Sequence, residues 1–396
     1  MSDLLILTSG YPRWPGDATT PFVKQFAEQM ATSEDVTVLA PHFAGAKVAE
    51  REGPRLAVRR FRYFLPYRHE DIAYGGNAVQ RVQASPLYLL KLLLYVLSAF
   101  VRVVVARPTV VNAHWLIPQG LVAVAAKPIT RAKVVVTVHG GDVFSLNGRV
   151  MRRIKAAVLR RADAVVVNSS ATREACEELY PGRTYEVIPM GIDTDRFQPA
   201  SAAAGEQDGG DFTVLFVGRL TEDKGVIYLL QALELLRESG AQFRAVVVGS
   251  GDQEQSLRRF VADGELRPFV EFPGWVASED LVAQYHAADV FVGPSIVGST
   301  GWKEALGLVF VEALATGLPV IATDTGGIAD VVEDGVTGFL VEQQSPQQLF
   351  EKLRLLYDDR ALLGRLGRQG RATVEQRFSW ATVGRRYREV FDAARG

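Results

Sequence analysis

The stretch Glu304-Ala-Leu-Gly-Leu-Val-Phe-Val-Glu312-Ala-Leu-Ala-Thr-Gly317-Leu-Pro319-Val-Ile-Ala-Thr323 predicts a short helix followed by a buried strand. Gly317 and Pro319 are typical of a helix end, and the apolar run after them is typical of a parallel strand. Glu304 lies just before the helix, and Glu312 lies one to two turns inside it. The stretch therefore predicts an α/β domain in which one carboxylate precedes a helix and a second one lies inside that helix.

These carboxylates suit an elongated ligand that carries hydroxyl groups. If all the residues between them were helical, the two backbones would lie about 12 Å apart, which is too far for an acid/base pair. Carboxylates accept paired hydrogen bonds from neighbouring hydroxyls, as on a sugar ring or a ribose. The free N–H groups around Gly307, Leu308 and Val309, at the start of the helix, would bind a diphosphate.

A second segment supplies positive charge. Gly218-Arg219 follows a predicted strand, and Lys224-Gly225 begins a predicted helix. Cations at this point can neutralise a departing diphosphate as its bond to the sugar breaks. The alternative is that both side chains are simply solvated.

Two glycine turns follow other predicted strands. Gly249-Ser-Gly251 would let a ligand approach the backbone closely, and Gly326-Gly327 predicts a tight turn. Either turn taken alone indicates little more than a change of chain direction.

The whole chain alternates short β-branched runs with helical patterns, which predicts mostly parallel sheets. Its 396 residues, 48% of them hydrophobic, favour two domains. We expect domains at 1–198 and 212–378, a linker at 198–211, and a helix from 379 to 396 on the first domain. The predicted strands are Leu4–Leu7, Val36–Leu39, Val110–Ala113, Lys133–Val138, Ala164–Val167, Thr213–Val217, Arg244–Val248, Val270–Phe272, Val290–Val292 and Val320–Ala322.

In this order the motifs resemble the C-terminal domain of the retaining glycosyltransferases of family 4. The resemblance covers essentially the whole chain. It implies the GT-B fold: two Rossmann-like domains that face each other across a cleft, with the C-terminal helix returning to the N-terminal domain. It also implies transfer of a sugar from a nucleotide-diphosphate sugar to a hydroxyl acceptor, such as a lipid-linked or cell-envelope glycan or glycolipid.

The resemblance assigns roles to the donor-site residues. Arg219 and Lys224 would bind the diphosphate, Glu304 the donor sugar and Glu312 the ribose, while the backbone near Val276 would meet the base. The implied donor site also includes Gly218, Gly249, Gly307, Leu308, Val309 and Gly16.

The first half of the chain supplies the expected acceptor side. His139 follows the strand Lys133–Val138, at the edge where open α/β sheets bind ligands. The resemblance implies that His139 contacts the donor sugar at the reaction centre. Asp142 would orient His139 or an acceptor hydroxyl. His114 and Trp115 would line the acceptor site, although core packing is an alternative for Trp115.

Three positions depart from the family pattern. Ala305 stands where glycine is more common, Met190 where asparagine is usual, and Pro21 where a small residue is often found. None of these changes removes a charged group. We therefore interpret them as changes of specificity.

We expect retention at the anomeric carbon, no cofactor and no metal. No Asp-x-Asp motif or metal-ligand spacing lies near the phosphate-binding elements, so Arg219, Lys224 and the helix start would replace a cation. Two alternatives remain open at this point: a nucleotide-sugar epimerase of the same fold, and a non-catalytic nucleotide-sugar-binding protein.

Charge is distributed unevenly along the chain. Through Gln198 there are 25 Lys and Arg against 17 Asp and Glu, and the remainder has 19 against 28. We expect the basic stretches 51–68 and 149–161, with the apolar segment 87–105, to contact an anionic membrane, and we expect no nucleic acid partner. The segment 87–105 is interpreted as a buried or peripheral helix. A single cysteine, Cys176, and a strand-like start indicate a cytoplasmic protein.

Overall fold

The structure is a computed structural model that describes residues 3–17, 19–74, 78–200, 212–299 and 301–396. From residue 201 onward, the expected linker lies outside the described residues. Contacts divide the chain into two compact units. The first unit comprises 1–191 with 380–396, and the second comprises 192–379.

The boundary lies earlier than the predicted residue 198. The Arg371 guanidinium donates to the carbonyls of Thr194 and Phe197 at 3.1 and 2.7 Å. The His286 ring likewise bonds the Gln198 carbonyl at 2.7 Å. These hydrogen bonds hold the end of the predicted first domain on the second unit.

The first unit contains an eight-stranded sheet in the order β3-β4-β2-β1-β5-β6-β7-β8. All its neighbouring strands are parallel except β3 and β4. The strands are β1 (Leu4–Leu7), β2 (Val36–Pro41), β3 (Ala49–Arg51), β4 (Leu56–Phe61), β5 (Val110–His114), β6 (Lys133–Val138), β7 (Ala164–Val167) and β8 (Glu186–Val187).

The second unit contains a six-stranded parallel sheet in the order β11-β10-β9-β12-β13-β14. Buried aliphatic and aromatic side chains cover both of its faces, as expected for a parallel sheet with helices on each side. The strands are β9 (Phe212–Val217), β10 (Phe243–Val248), β11 (Val270–Gly274), β12 (Val290–Gly293), β13 (Val320–Thr323) and β14 (Gly338–Val341).

Helices connect most of the strands. Those of the first unit are α1 (Pro21–Met30), α2 (Ala78–Ala84), α3 (Pro86–Ala106), α4 (Leu121–Thr130), α5 (Gly141–Phe144), α6 (Arg149–Arg161), α7 (Ser170–Leu179) and, at the C-terminal end, α14 (Trp380–Arg395). Those of the second unit are α8 (Val226–Glu238), α9 (Glu254–Asp263), α10 (Ser278–His286), α11 (Leu308–Ala315), α12 (Pro346–Asp358) and α13 (Arg360–Arg377).

All ten predicted strands form, with ends within two residues of the prediction. The strands β3, β4, β8 and β14 were not predicted. In β4 the adjacent Arg59 and Arg60 hide the apolar alternation, and β8 has only two residues. The charged residues of β4 and the short length of β8 thus hide these strands in the sequence, although each pairs with a neighbouring strand in the structure.

The C-terminal helix packs on the first unit, as expected. Tyr387 and Phe391 of α14 are fully buried, and the Tyr387 ring lies 4.7 Å from that of Phe26 on α1. Trp380 lies so close to Gly191 that a Cβ there would come within 2.5 Å of the indole ring. Only glycine leaves room for this contact.

The start of α1 lacks a side-chain cap. The helix begins at Pro21, and Thr20 before it makes no side-chain capping hydrogen bond. The Thr20 backbone is left-handed, with φ of 44°, and its buried hydroxyl has no partner among the described residues. The proline at the first helical position fixes the start without a cap. Ser169, by contrast, caps α7 through the N–H of Thr172.

Candidate active site

Each unit carries its own group of candidate site residues. On the second unit, Lys224 follows β9 and Glu304 precedes α11, so both lie at the carboxyl edge of the sheet. The Lys224 ammonium lies 2.5 Å from Glu304 Oε2, and the two side chains are 16% and 11% exposed. The Trp302 ring lies 4.9 Å from the same ammonium. Two residues that are 80 positions apart thus form a largely buried ion pair.

The glycine turn after β13 holds the backbone of Glu304. Gly327 donates its N–H to the Glu304 carbonyl at 2.9 Å. Gly326 has φ of +59°, and a Cβ there would lie 1.9 Å from the same oxygen. The Gly326-Gly327 motif therefore positions Glu304 through direct backbone packing.

Gly307 starts α11 in a left-handed conformation, with φ of 79°. The first-turn N–H groups that follow, at Leu308 and Val309, have no partner within the helix. Because residues 301–307 are not helical, the distance of about 12 Å expected for a continuous helix between Glu304 and Glu312 does not apply. In the structure Glu304 precedes α11 and Glu312 lies inside it, as predicted.

The turns after β9 and β10 lie against each other. Gly218 donates to the Val248 carbonyl at 3.0 Å. Gly249 has φ of +134°, and a Cβ there would lie 1.8 Å from the Gly218 carbonyl oxygen. Arg219 is exposed and forms no ion pair with any residue that the structure describes. Val276, just beyond β11, packs against the core.

Glu312, the second carboxylate of the pattern, lies inside α11 and hydrogen-bonds a tyrosine of α10. Tyr285 donates its hydroxyl to Glu312 Oε2 at 2.8 Å. Burial raises the pKa of Glu312 to about 7, while the Tyr285 hydrogen bond and the charge of Arg196 act in the opposite direction. At neutral pH this carboxyl group is therefore close to its titration point.

On the first unit, two histidines stack at the carboxyl ends of neighbouring strands. His114 ends β5 and His139 follows β6, with ring centroids 5.1 Å apart. His114 Nδ1 lies 3.0 Å from His139 Nε2. Phe22 and Trp115 also contact His139, at centroid distances of 5.2 and 4.8 Å.

Both imidazoles are neutral in this environment. Burial lowers the pKa of His139 to about 3, and burial together with His139 keeps the pKa of His114 well below its usual range. His114 Nε2 is buried without a partner among the described residues. One neutral ring donates to the other in this contact, and the direction is set by the tautomers of the two rings.

Asp142 organises the backbone beneath His139. Its oxygens accept the N–H groups of Leu116 at 2.7 Å and of His139 at 3.1 Å. Burial raises the pKa of this carboxyl group. The prediction that Asp142 orients His139 is consistent with this geometry, which acts through the main chain and not through the ring.

His114 is located differently from its expected position. Its side chain has no exposed surface, so in this structure it packs against the ring of His139 and lines no acceptor site. Trp115 is partly exposed and has φ of 75°. Gly16 lies in the loop between β1 and α1, with φ of 82° and open space around its Cα.

Several site residues were missed from the sequence. Tyr285 is 27 positions from Glu312, and no motif links them. Trp302 and Phe22 likewise contact predicted site residues through side chains alone.

Two sequence profiles match most of the chain. The profile described as "Glycosyltransferase Family 4" matches residues 21–196, and the profile described as "Glycosyl transferases group 1" matches residues 198–373.

Named relatives agree with these profiles. A "GDP-mannose-dependent alpha-(1-6)-phosphatidylinositol monomannoside mannosyltransferase" of Mycobacterium tuberculosis is 33% identical over 70% of this chain and 75% of the relative. A protein of the same description from Mycolicibacterium smegmatis is 27% identical over 99% of both chains. The "Putative colanic acid biosynthesis glycosyltransferase WcaL" of Escherichia coli is 29% identical over 70% of this chain and 68% of the relative.

Solved structures share the fold. Sucrose-phosphate synthase from Thermosynechococcus elongatus superposes with a TM-score of 0.79 and 22% identity, over 99% of this chain and 100% of that one. Anabaena Alr3699/HepE in complex with UDP gives a TM-score of 0.76 and 21% identity, with the same coverage.

The fold and these comparisons define a glycosyltransferase of the GT-B class that uses a nucleotide sugar as donor. The chain belongs to glycosyltransferase family 4, also described as glycosyl transferases group 1. The comparisons give no support to the epimerase or to the non-catalytic alternative.

The raised pKa of Glu312 makes stability depend on pH. Its usual value is 4.5, and the folded value is about 7, so between these limits the folded state binds a proton that the unfolded state releases. Stability should therefore fall as the pH rises through this window and level off above it. We expect Glu312→Gln, measured without ligand by thermal unfolding from pH 5 to 8, to lack this loss and to exceed the wild type in stability above pH 7.

The exposed Glu333→Gln variant is the matched control and should follow the wild-type curve. Parallel curves for the wild type and Glu312→Gln would contradict the buried, proton-binding state of Glu312.

Proposed function

We propose that the protein transfers a hexosyl group, with retention of anomeric configuration, from a nucleotide-diphosphate sugar to a lipid-linked glycan acceptor. The observation that carries the donor site is the Lys224–Glu304 pair beside the start of α11. It places a cation, a carboxylate and helix N–H groups at one edge of one sheet. These are the groups that a diphosphate and a sugar hydroxyl require.

In the proposed reaction, the bond between the anomeric carbon and the diphosphate oxygen breaks. Lys224, Arg219 and the first-turn N–H groups of Leu308 and Val309 stabilise the charge that develops on the departing diphosphate. The acceptor oxygen bonds to the same face of the anomeric carbon, and its proton passes to the departing phosphate. No protein nucleophile or metal takes part.

Glu304 and His139 position the donor sugar in this scheme. Glu304 accepts hydrogen bonds from its hydroxyls, and neutral His139 donates to it through a ring N–H. A neutral imidazole donates an N–H without adding a positive charge, so the low pKa of His139 suits this role. Glu312 accepts hydrogen bonds from the ribose hydroxyls, and Tyr285 fixes its orientation.

GDP-mannose is the proposed donor. Relatives from Mycobacterium tuberculosis and Mycolicibacterium smegmatis are named as GDP-mannose-dependent, and the latter match spans 99% of the chain. Both act, by their names, on a phosphatidylinositol monomannoside. A glycolipid of this chemistry is therefore the proposed acceptor class.

The helix α3 supports docking on a membrane. It is long and apolar enough to span a bilayer, with a mean hydropathy of 2.2 in its most apolar window, of which 22% is buried. Its buried face includes Lys91, which pairs with Asp71 at 2.8 Å. Its outward face carries the exposed aliphatic residues Leu87, Leu89, Leu90, Leu93, Leu97, Val101 and Val105. We place α3 in the plane of the membrane surface, because one face is packed in the protein.

The basic stretches contribute less charge than expected. Lys155 of α6 is fully buried and donates to the Val143 carbonyl at 3.2 Å. Arg60 is also buried, and it pairs with Glu50 at 2.6 Å. These two residues are excluded from a membrane-facing surface. The exposed arginines that remain are Arg51, Arg55, Arg59, Arg62, Arg68, Arg149, Arg152, Arg153, Arg160 and Arg161. We propose that they favour an anionic inner leaflet facing the cytoplasm.

Loss of the Glu304 carboxylate should abolish most of the transfer. We expect Glu304→Gln to lower kcat by about 100-fold or more, because it removes the negative charge that pairs with Lys224 and replaces one carboxylate acceptor with an NH2 donor. The measurement is transfer of labelled mannose from GDP-mannose to phosphatidylinositol monomannoside, repeated with UDP- and ADP-sugars.

Glu333→Gln on the surface of the same unit should leave the rate unchanged. A Glu304→Gln enzyme with near-normal turnover and unchanged melting temperature would refute the site.

Membrane docking should require both the apolar face and anionic lipid. In a vesicle sedimentation assay, the wild type should pellet with vesicles of anionic lipid and much less with neutral ones. The double variant Leu93→Ser/Leu97→Ser should pellet less with the anionic vesicles, because it removes exposed aliphatic surface from α3.

Leu355→Ser, at an exposed leucine of the second unit, is the control and should bind like the wild type. Equal pelleting with neutral and anionic vesicles would rule out the docking proposal.

A further inference from the structure

A buried histidine–carboxylate pair lies at the carboxyl edge of the first sheet, apart from His139. His42 directly follows β2, and its Nδ1 hydrogen-bonds with Glu70 Oε2. The Glu70 side chain has no exposed surface, whereas 5% of the His42 side chain is exposed. No role in donor binding or in the reaction uses this pair.

The structure holds Glu70 rigidly. Its second oxygen, Oε1, accepts the N–H groups of Tyr63 at 2.5 Å and of Phe64 at 3.1 Å. The His42 N–H donates to the Phe61 carbonyl at 3.0 Å. Main-chain hydrogen bonds on both sides therefore fix the imidazole in one orientation.

The other ring nitrogen of His42, Nε2, makes no hydrogen bond with any residue that the structure describes. A pair of buried polar side chains that served stability alone could be replaced by apolar groups at little cost. An oriented imidazole with one nitrogen unused, at the ligand-binding edge of a parallel sheet, is instead suited to bind a hydroxyl group.

The position of His42 relative to His139 follows from the strand order. Three strand spacings separate β2 from β6, which is about 14 Å along the edge. Aromatic side chains lie near both ends of this interval. Trp14, in the loop between β1 and α1, is 45% exposed and lies 6.2 Å from the ring of Phe43, the neighbour of His42. Phe22, at the start of α1, contacts His139. An acceptor that reached both histidines would span more than one ring.

We propose that His42, oriented by Glu70, binds a hydroxyl group on a ring of the acceptor other than the ring that carries the reacting hydroxyl. The preferred acceptor then has at least two linked rings. This inference rests on the proposed function, since it needs an acceptor at His139. His42 is a binding residue in this account and takes no part in bond breaking.

Two substitutions at one position separate binding from structure. In His42→Asn the amide takes the place of Nδ1 and keeps the bond to Glu70, whereas in His42→Gln the amide takes the place of Nε2. We expect His42→Asn to raise the KM of a two-ring acceptor about tenfold or more, with the melting temperature and donor hydrolysis by water unchanged. His42→Gln should retain more of the acceptor affinity. With a single-ring acceptor, neither variant should differ from the wild type.

His69→Gln, at an exposed histidine next to Glu70, is the matched control and should behave like the wild type. The reverse order, with His42→Asn normal and His42→Gln unstable, would show a structural role and overturn the proposal. An unchanged KM in both variants would also overturn it. If the wild type itself transferred no sugar to any acceptor, the proposed function would fail first, and that outcome is visible before any variant is made.

Discussion

The ion pair between Lys224 and Glu304 is the interaction on which the donor side depends. Bringing an ammonium and a carboxylate together with little exposed surface costs solvation energy, so their loops must be held firmly. Glycines make this possible. A Cβ at Gly225 would lie 2.0 Å from the Pro294 carbonyl oxygen, and one at Gly326 would collide with the backbone of Glu304. The loops thus pack main chain against main chain at the sheet edge.

The two units use burial in different ways. In the first unit burial keeps His114 and His139 neutral, so that one imidazole presents an N–H without carrying a positive charge. In the second unit burial raises the pKa of Glu312 to about 7, while Lys224 and Glu304 contact each other directly. In the proposed function, the second unit thus supplies cations for a diphosphate, and the first unit supplies neutral hydrogen-bond donors for a sugar.

The sequence predicted the sheets well because buried parallel strands appear as continuous β-branched runs, and all ten predicted strands form. It also predicted the order of the donor motifs. It missed side chains whose partners are set only by packing: Tyr285 on Glu312, and Glu70 on His42. Burial of individual charges was equally hidden, since nothing in the spacing of α6 distinguishes Lys155, which is fully buried, from its exposed arginine neighbours.

The central claim is that protein cations, and no metal, hold the diphosphate of the donor. Isothermal titration of GDP, UDP and ADP into the wild type in buffer containing EDTA tests it most directly, with Lys224→Ala and the distant Lys352→Ala as a matched pair. We predict that one diphosphate binds without metal, and that binding weakens at least about tenfold in Lys224→Ala but not in Lys352→Ala. Binding that appears only after Mg²⁺ is added, or that is equal in both variants, would contradict the account.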